Sequence, residues 1–96
     1  MTHIKTIKDL EVKTDRYGRW YPYRILLANG EIMTGLYSGS STVSGVFDLI
    51  WFKVVEDLNE WINNRDHIGT RMVYLKPEEI KEMTVIDEFT ELLNIR

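Results

Sequence analysis

Residues 46–62 read VFDLIWFKVVEDLNEWI, the longest apolar run in the chain, and the fold depends on how this run is divided. Residues 46–55 are apolar on every side and rich in Val, Ile, Phe and Trp, which favour strands. From Glu56 the composition turns polar, and the remaining apolar residues Leu58, Trp61 and Ile62 have helical spacing. We therefore predict a strand over about 46–55 and a short helix over about 56–64.

A single long helix is the alternative for the same run, with Ser44 as its N-cap and Asn64 at its end. Apolar residues between Phe47 and Ile62 also fit one helical stripe with spacings of three and four. This helix would leave Leu49 and Phe52 on a second apolar face in water. The fold would then be a helix over 46–63 packed on an antiparallel meander, instead of a β-rich α+β domain.

Asn29-Gly30 predicts a β-hairpin upstream of this run, because both central residues of a type I′ turn need positive φ. The flanking strands cover about 19–28 and 31–37. A two-residue turn fixes the pairing, and the more apolar face is assigned to the core. The predicted core pairs are Leu27 with Ile32, Ile25 with Thr34, and Tyr23 with Leu36.

The other segments are shorter. Residues 38–45 (SGSSTVSG) are small and polar, so they predict a loop. Strands are expected at about 70–75 and 80–86, joined by a tight turn at Lys76-Pro77-Glu78-Glu79. Residues 87–95 predict a closing helix capped by Asp87. Residues 1–9 read as a frayed arm or an edge strand of a single domain over 1–96.

The bulk composition describes a small globular protein. The chain has 96 residues, 44% hydrophobic and 28% charged, which is the size of one domain. It contains no cysteine, so disulfides and thiolate chemistry are excluded. The N-terminus has no signal-like apolar stretch, and no run reaches the roughly 18 apolar residues of a membrane helix. A cytoplasmic protein without membrane contact is the expectation.

The net charge of −3 is unevenly distributed. Residues 1–37 carry six Lys or Arg against four Asp or Glu, whereas residues 38–96 carry six against eleven. Nucleic-acid binding depends on neutralising phosphates, so only the N-terminal third is suited to it. The acidic remainder either keeps the protein soluble or faces a basic partner protein.

The hairpin resembles the first signature of Sm-like small β-barrels, in which an Asn-Gly turn is followed by a strand with a later glycine. The matching residues are Leu27, Asn29, Gly30, Ile32, Gly35 and Leu36. Residues 73–86 are similar to the two closing strands of such barrels. The resemblance covers residues 24–36 and 73–86, and implies a small, strongly bent antiparallel sheet or barrel with one or two short helices.

Two segments are candidate ligand-binding residues. Aromatic side chains alternate with arginines from Arg16 to Arg24, as in proteins that stack bases and pair phosphates. Hydroxyls and backbone N–H groups of the serine-rich segment can hold an anion. Each segment also has a purely structural interpretation. The first can be an edge strand that covers the core, and the second a solvated connection. The candidate residues are Arg16, Arg19, Trp20, Tyr21, Tyr23, Arg24, Ser38, Ser40, Ser41 and Thr42.

Catalytic and metal chemistry find no support in the sequence. His3 and His67 have no carboxylate cluster around them at ligand spacing, and no Ser-His-Asp arrangement can be assembled. We predict a protein that is not an enzyme and uses no metal or cofactor.

The function hypothesis is a small binding module that acts through protein–protein contact and self-associates. Small acidic chains of this type resemble accessory proteins of phages and mobile elements that inhibit a host factor. The alternative is a nucleotide- or oligonucleotide-binding protein, which would use the aromatic–arginine strand and the serine-rich segment.

Overall fold

The computed structural model describes residues 4–63 and 71–87. The described part is β-rich, with strands β1 (Tyr23–Leu27), β2 (Ile32–Val43), β3 (Val46–Val54), β4 (Met72–Leu75) and β5 (Ile80–Val85). One helix, α1, spans Leu58–Asn63, and single 3-10 turns lie at Ile7–Asp9 and Pro77–Glu79. The strands form one antiparallel sheet in the order β4-β3-β2-β1-β5. In these residues the sheet is open rather than closed into a barrel, with β4 and β5 at its edges.

The run 46–62 divides as the composition predicts, into β3 and α1. The alternative of one helix over 46–63 is wrong. Phe47, Ile50 and Phe52 are buried, while Leu49 and Trp51 are half-buried on a sheet that offers partners on both faces. A bulge at Asp48, opposite the Ser41–Thr42 step, shifts the alternation so that burial passes from Phe47 to Ile50.

The β1–β2 hairpin exists, but its predicted register is wrong by one residue. Gly30, at φ +91°, donates its N–H to the Leu27 carbonyl at 2.9 Å, and the Leu27 N–H donates to Glu31 at 2.8 Å. The loop therefore has three residues and a bulged glycine, instead of the two of a type I′ turn. Asn29 keeps negative φ and accepts the Glu31 N–H through Oδ1 at 2.9 Å, which stabilises this longer loop.

The shifted register exchanges the two faces of β2. Ile25 pairs with Met33 and Tyr23 with Gly35, while Ile32, predicted to lie in the core, is 66% exposed. The prediction for β1 is confirmed, since Tyr23 and Ile25 are buried. Gly35 lies beneath Phe52, and a Cβ there would stand 3.0 Å from the Phe52 Cβ.

The serine-rich segment is not a loop, contrary to the prediction for residues 38–45. Residues 38–43 continue β2, and only Ser44 and Gly45 form the turn to β3, at φ 52° and 83°. Both values are positive, as a type I′ turn requires. Ser38 is an extra residue between the Tyr37–Phe52 and Gly39–Trp51 pairs, and such a bulge bends the long hairpin.

The ends of the described chain pack on this sheet. Within residues 1–9, where a frayed arm or an edge strand is expected, Ile7–Asp9 form a 3-10 turn. Ile4 is buried, and the Lys5 carbonyl accepts the Phe47 N–H. Lys13 pairs with Asp87, which raises the pKa of Lys13 and lowers that of Asp87. The strands predicted at about 70–75 and 80–86 are present in the described residues, as Met72–Leu75 and Ile80–Val85. The predicted helix over 87–95 lies outside the described residues, except for Asp87. Residue 64, the predicted end of the helix over 56–64, also lies outside them.

Ionisation of Tyr23 should destabilise the fold at alkaline pH. Burial, followed by the nearby Glu11 and Tyr37, raises the pKa of Tyr23 from 10.0 to about 12. Because the folded state holds the proton more tightly, this stabilisation is complete below pH 10 and is lost as pH rises towards 12. We expect a loss of about 2 kcal/mol across this window, measured by urea unfolding. Tyr23→Phe should remove this part of the pH dependence, whereas the exposed Tyr17→Phe should leave it unchanged.

Candidate functional site

The loop between residues 13 and 21 is built around one buried carboxylate. Thr14 and Trp20 form an isolated β-bridge, and between them the Asp15 side chain is fully buried. Asp15 Oδ1 accepts the backbone N–H groups of Tyr17 (2.8 Å) and Arg19 (3.0 Å), while Oδ2 accepts the Arg19 Nε at 2.8 Å. These bonds hold residues 15–19 in a tight turn, with Gly18 at φ +79°. We call this turn the Tyr17 tip.

A cavity of about 490 Å³ lies between this loop, the sheet and α1, and we call it the Trp20 cavity. The volume is within the range of small-molecule sites, roughly 300–1,000 Å³. Its lining combines aromatic, cationic and hydroxyl groups: Gly18, Arg19, Trp20, Leu36, Tyr37, Ser38, Lys53 and Trp61.

Three aromatic rings shape the cavity. Trp20 and Tyr37 are stacked, with ring centroids 4.9 Å apart and planes 17° apart. Tyr37 meets the buried Phe52 edge-on at 6.4 Å, and its hydroxyl hydrogen-bonds the Ser40 Oγ at 2.9 Å. Trp61 is 5% exposed, and α1 carries it to the cavity. The stacked pair is therefore supported from the core and presents a planar surface.

The electrostatics of the cavity depend on two cations. Arg19 is balanced by Asp15, which fixes the direction of its guanidinium. Lys53, on β3, makes no ion pair within residues 4–63 and 71–87. Among the residues that the structure describes, none that lines the cavity carries a carboxylate side chain. The arrangement therefore favours an anionic ligand over a cationic one.

The structure brings together some of the candidate residues from the two predicted segments and separates others. Arg19 and Trp20 from the first segment and Ser38 from the second line the same cavity. Tyr21 and Tyr23 are buried in the core, and Arg24 is exposed on β1. Ser40 holds the Tyr37 hydroxyl, whereas Ser41 and Thr42 continue β2 without lining the cavity. Arg16 lies on the Tyr17 tip.

Sequence reasoning missed Tyr37, Lys53 and Trp61 as lining residues. They come from β2, β3 and α1, and no local spacing relates them. The long hairpin brings Lys53 opposite Leu36, while α1 returns Trp61 to the same cavity. Tyr37 and Lys53 could be identified only from the sheet register, and Trp61 only from the packing of α1.

The described residues contain neither a membrane-spanning helix nor a metal-binding cluster. None of the described helices is long and apolar enough to cross a bilayer. Within residues 4–63 and 71–87 no group of three or more His, Asp or Glu side chains is placed to hold a metal ion.

Compared with protein-family models, with curated proteins and with solved structures, the chain has no match.

Proposed function

We propose that this protein is a non-enzymatic binding module whose Trp20 cavity takes an anionic ligand with a planar aromatic part, of the nucleotide class. The observation that carries the proposal is the meeting of Trp20, Tyr37 and Trp61 with the cations Arg19 and Lys53 around one cavity. A base stacks on aromatic faces, and a phosphate pairs with cations.

Each group has a distinct role in this proposal. The Trp20–Tyr37 stack offers a flat surface to a base, and Trp61 closes the apolar side. Lys53 attracts the phosphate, and Arg19, oriented by Asp15, adds charged N–H donors. The Ser38 hydroxyl donates to the Leu36 carbonyl at 3.2 Å, so its lone pairs are directed to accept from a ligand N–H.

Nucleotide binding should depend on Trp20 and Lys53. Trp20→Ala should weaken binding about tenfold or more, because stacking contributes roughly 1–3 kcal/mol per base. Lys53→Met keeps the stem volume and removes the charge, so it should weaken binding several-fold and flatten the salt dependence. The measurement is a titration with the common ribonucleoside and deoxyribonucleoside monophosphates, followed by tryptophan fluorescence and calorimetry.

Two controls make this test decisive. Tyr74→Ala removes an exposed aromatic ring outside the cavity and should leave affinity unchanged. Circular dichroism checks that Trp20→Ala retains the wild-type fold. If no nucleotide binds the wild-type protein at millimolar concentration, or if Lys53→Met binds as well as wild type in low salt, the proposal is rejected.

Protein–protein contact with self-association is a second proposed function. It is supported by the open sheet, in which β4 and β5 are the edge strands of the described residues and Tyr74 on β4 is 59% exposed. Exposed strand edges readily pair with another chain. A partner protein, including a host factor inhibited by a phage or mobile-element protein, would use the same edges. Kinship to Sm-like barrels also remains a proposal, supported by the glycine-containing hairpin β1–β2.

Self-association should appear as a dimer or larger species at micromolar concentration in size-exclusion chromatography with light scattering. Tyr74→Lys should shift the protein towards monomer, because lysine on an edge strand opposes pairing. Tyr17→Lys is the matched control, since Tyr17 is 60% exposed and lies outside the five strands. A wild-type protein that is monomeric throughout this range contradicts self-association.

A further inference from the structure

The Tyr17 tip is a second aromatic and cationic feature beside the Trp20 cavity. Tyr17 is 60% exposed, and the guanidinium carbons of Arg16 and Arg19 each lie 5.0 Å from its ring centroid. Arginine over a tyrosine ring is a cation–π arrangement, and it holds both charges next to an exposed planar group. The tip therefore combines an exposed aromatic ring with cationic groups, as the cavity does.

The tip is ordered by the fold. Asp15 accepts the Tyr17 and Arg19 backbone N–H groups, and the Gly18 N–H donates to the Asp15 carbonyl at 3.0 Å. Asp15 is itself buried, so its carboxylate is anchored in the protein. A ligand that contacts Tyr17 does not have to order this turn first, which reduces the entropic cost of binding.

The tip and the cavity are continuous along the chain and in space. Gly18 and Arg19 belong to the tip and also line the cavity, and Trp20 follows directly. Aromatic and cationic groups thus alternate from Lys53 and Trp20, through Arg19, to Tyr17 and Arg16. A mononucleotide bound in the cavity would leave Tyr17 and Arg16, at the outer end of this series, without a ligand contact.

We propose that the ligand is a single-stranded nucleic acid, which places one base in the Trp20 cavity and a neighbouring base against Tyr17. This inference rests on the proposed nucleotide-binding function and specifies its ligand. A single strand alternates bases with phosphates, as the protein alternates aromatic rings with cations. A duplex does not fit, because its bases are paired and stacked on one another and would have to be extruded to enter the cavity.

The salt dependence of binding follows from the small number of cations at the site, in a chain whose net charge is −3. Three cations, Arg16, Arg19 and Lys53, contribute to phosphate binding. With about 0.7 counterions released per phosphate on single strands, the slope of log affinity against log salt should be about −2.

The test compares nucleoside monophosphates with oligonucleotides of about eight residues, a length within single-strand site sizes. Homopolymers of A and of U or T, as RNA and as DNA, are titrated by fluorescence anisotropy against the wild-type protein and Tyr17→Ala. We expect the best oligomer to bind about tenfold or more tightly than its monophosphate, as one added stacked base implies. Tyr17→Ala should remove most of this advantage and leave monophosphate affinity within about twofold. Tyr74→Ala is the matched control, because Tyr74 is also a tyrosine and is 59% exposed.

The possible outcomes separate the two proposals. If oligomers bind no better than monophosphates, or if Tyr17→Ala retains the full oligomer advantage, the single-strand inference is overturned while nucleotide binding stands. If an acidic aromatic peptide competes with a monophosphate and no oligomer does, the ligand is a peptide and the inference also fails. If neither monophosphates nor oligomers bind, the proposed function itself fails.

Discussion

Phe52→Ala should lower the free energy of unfolding by about 3–5 kcal/mol, the usual cost of truncating a buried phenylalanine. Phe52 is 0% exposed and lies in β3, where it pairs with Tyr37 of β2 and Val73 of β4. Its ring meets Tyr37 edge-on and its Cβ lies over Gly35, so the cavity left by truncation cannot be filled by a simple rotation of neighbours. A chain of this size has roughly 5–10 kcal/mol of stability in total. Urea unfolding followed by circular dichroism measures the loss.

Tyr74→Ala is the control for this prediction, because it removes an aromatic ring from the neighbouring strand. Tyr74 is 59% exposed and contacts Trp51 at a centroid distance of 5.5 Å, so the expected loss is about 1 kcal/mol or less. Equal losses for the two variants would contradict the assignment of the two faces of β3. They would also contradict the burial pattern that distinguishes the strand from a helix.

Asp15→Ala should be the second most damaging substitution, costing about 2–4 kcal/mol and, under the proposed function, reducing nucleotide affinity as well. The change removes the acceptor of two backbone N–H groups and the partner of the Arg19 guanidinium. Removing one partner of a buried charge pair costs about 3–5 kcal/mol. The figure is reduced here because the Arg19 side chain is 45% exposed and can turn to water. The Tyr17 tip and the cavity wall should then lose their fixed geometry.

Two variants show whether the effect comes from the buried hydrogen bonds or from the charge. Asp15→Asn keeps an oxygen for the two N–H groups and should lose less stability than Asp15→Ala. Asp9→Ala removes a carboxylate that accepts the Lys5 and Thr6 N–H groups in an exposed turn, and should cost less stability than Asp15→Ala. If Asp9→Ala and Asp15→Ala cost the same, burial of Asp15 contributes nothing and the prediction is wrong.

The two hairpins show that local sequence signals predict the position of a turn but not the register of its strands. Asn29-Gly30 correctly predicts a turn, but the negative φ of Asn29 gives a three-residue loop and shifts the pairing by one residue. Ser44-Gly45 adopts the type I′ turn instead, because the long β2–β3 ladder on both sides needs a two-residue connection. Both dipeptides can form either turn, and the pairing of the whole strands selects one.

The candidate site was predictable only in part. The aromatic–arginine run identifies Arg19 and Trp20 because their chemistry is concentrated in one segment. It also includes Tyr21 and Tyr23, which the core buries, since alternating aromatic residues look the same whether they face a ligand or other strands. Lys53 and Trp61 carry no local signal, because each is ordinary in its own element.

Composition is enough to divide residues 46–62 into two elements, because β-branched and aromatic residues end where the polar, helically spaced residues begin. Composition also indicates a β-rich fold and an excess of basic over acidic residues in the N-terminal third. Contacts between distant segments set the register of β2, the extension of that strand through the serines, and the meeting of Trp20 with Lys53. No local preference specifies a register or a cavity wall, so these features depend on the folded chain.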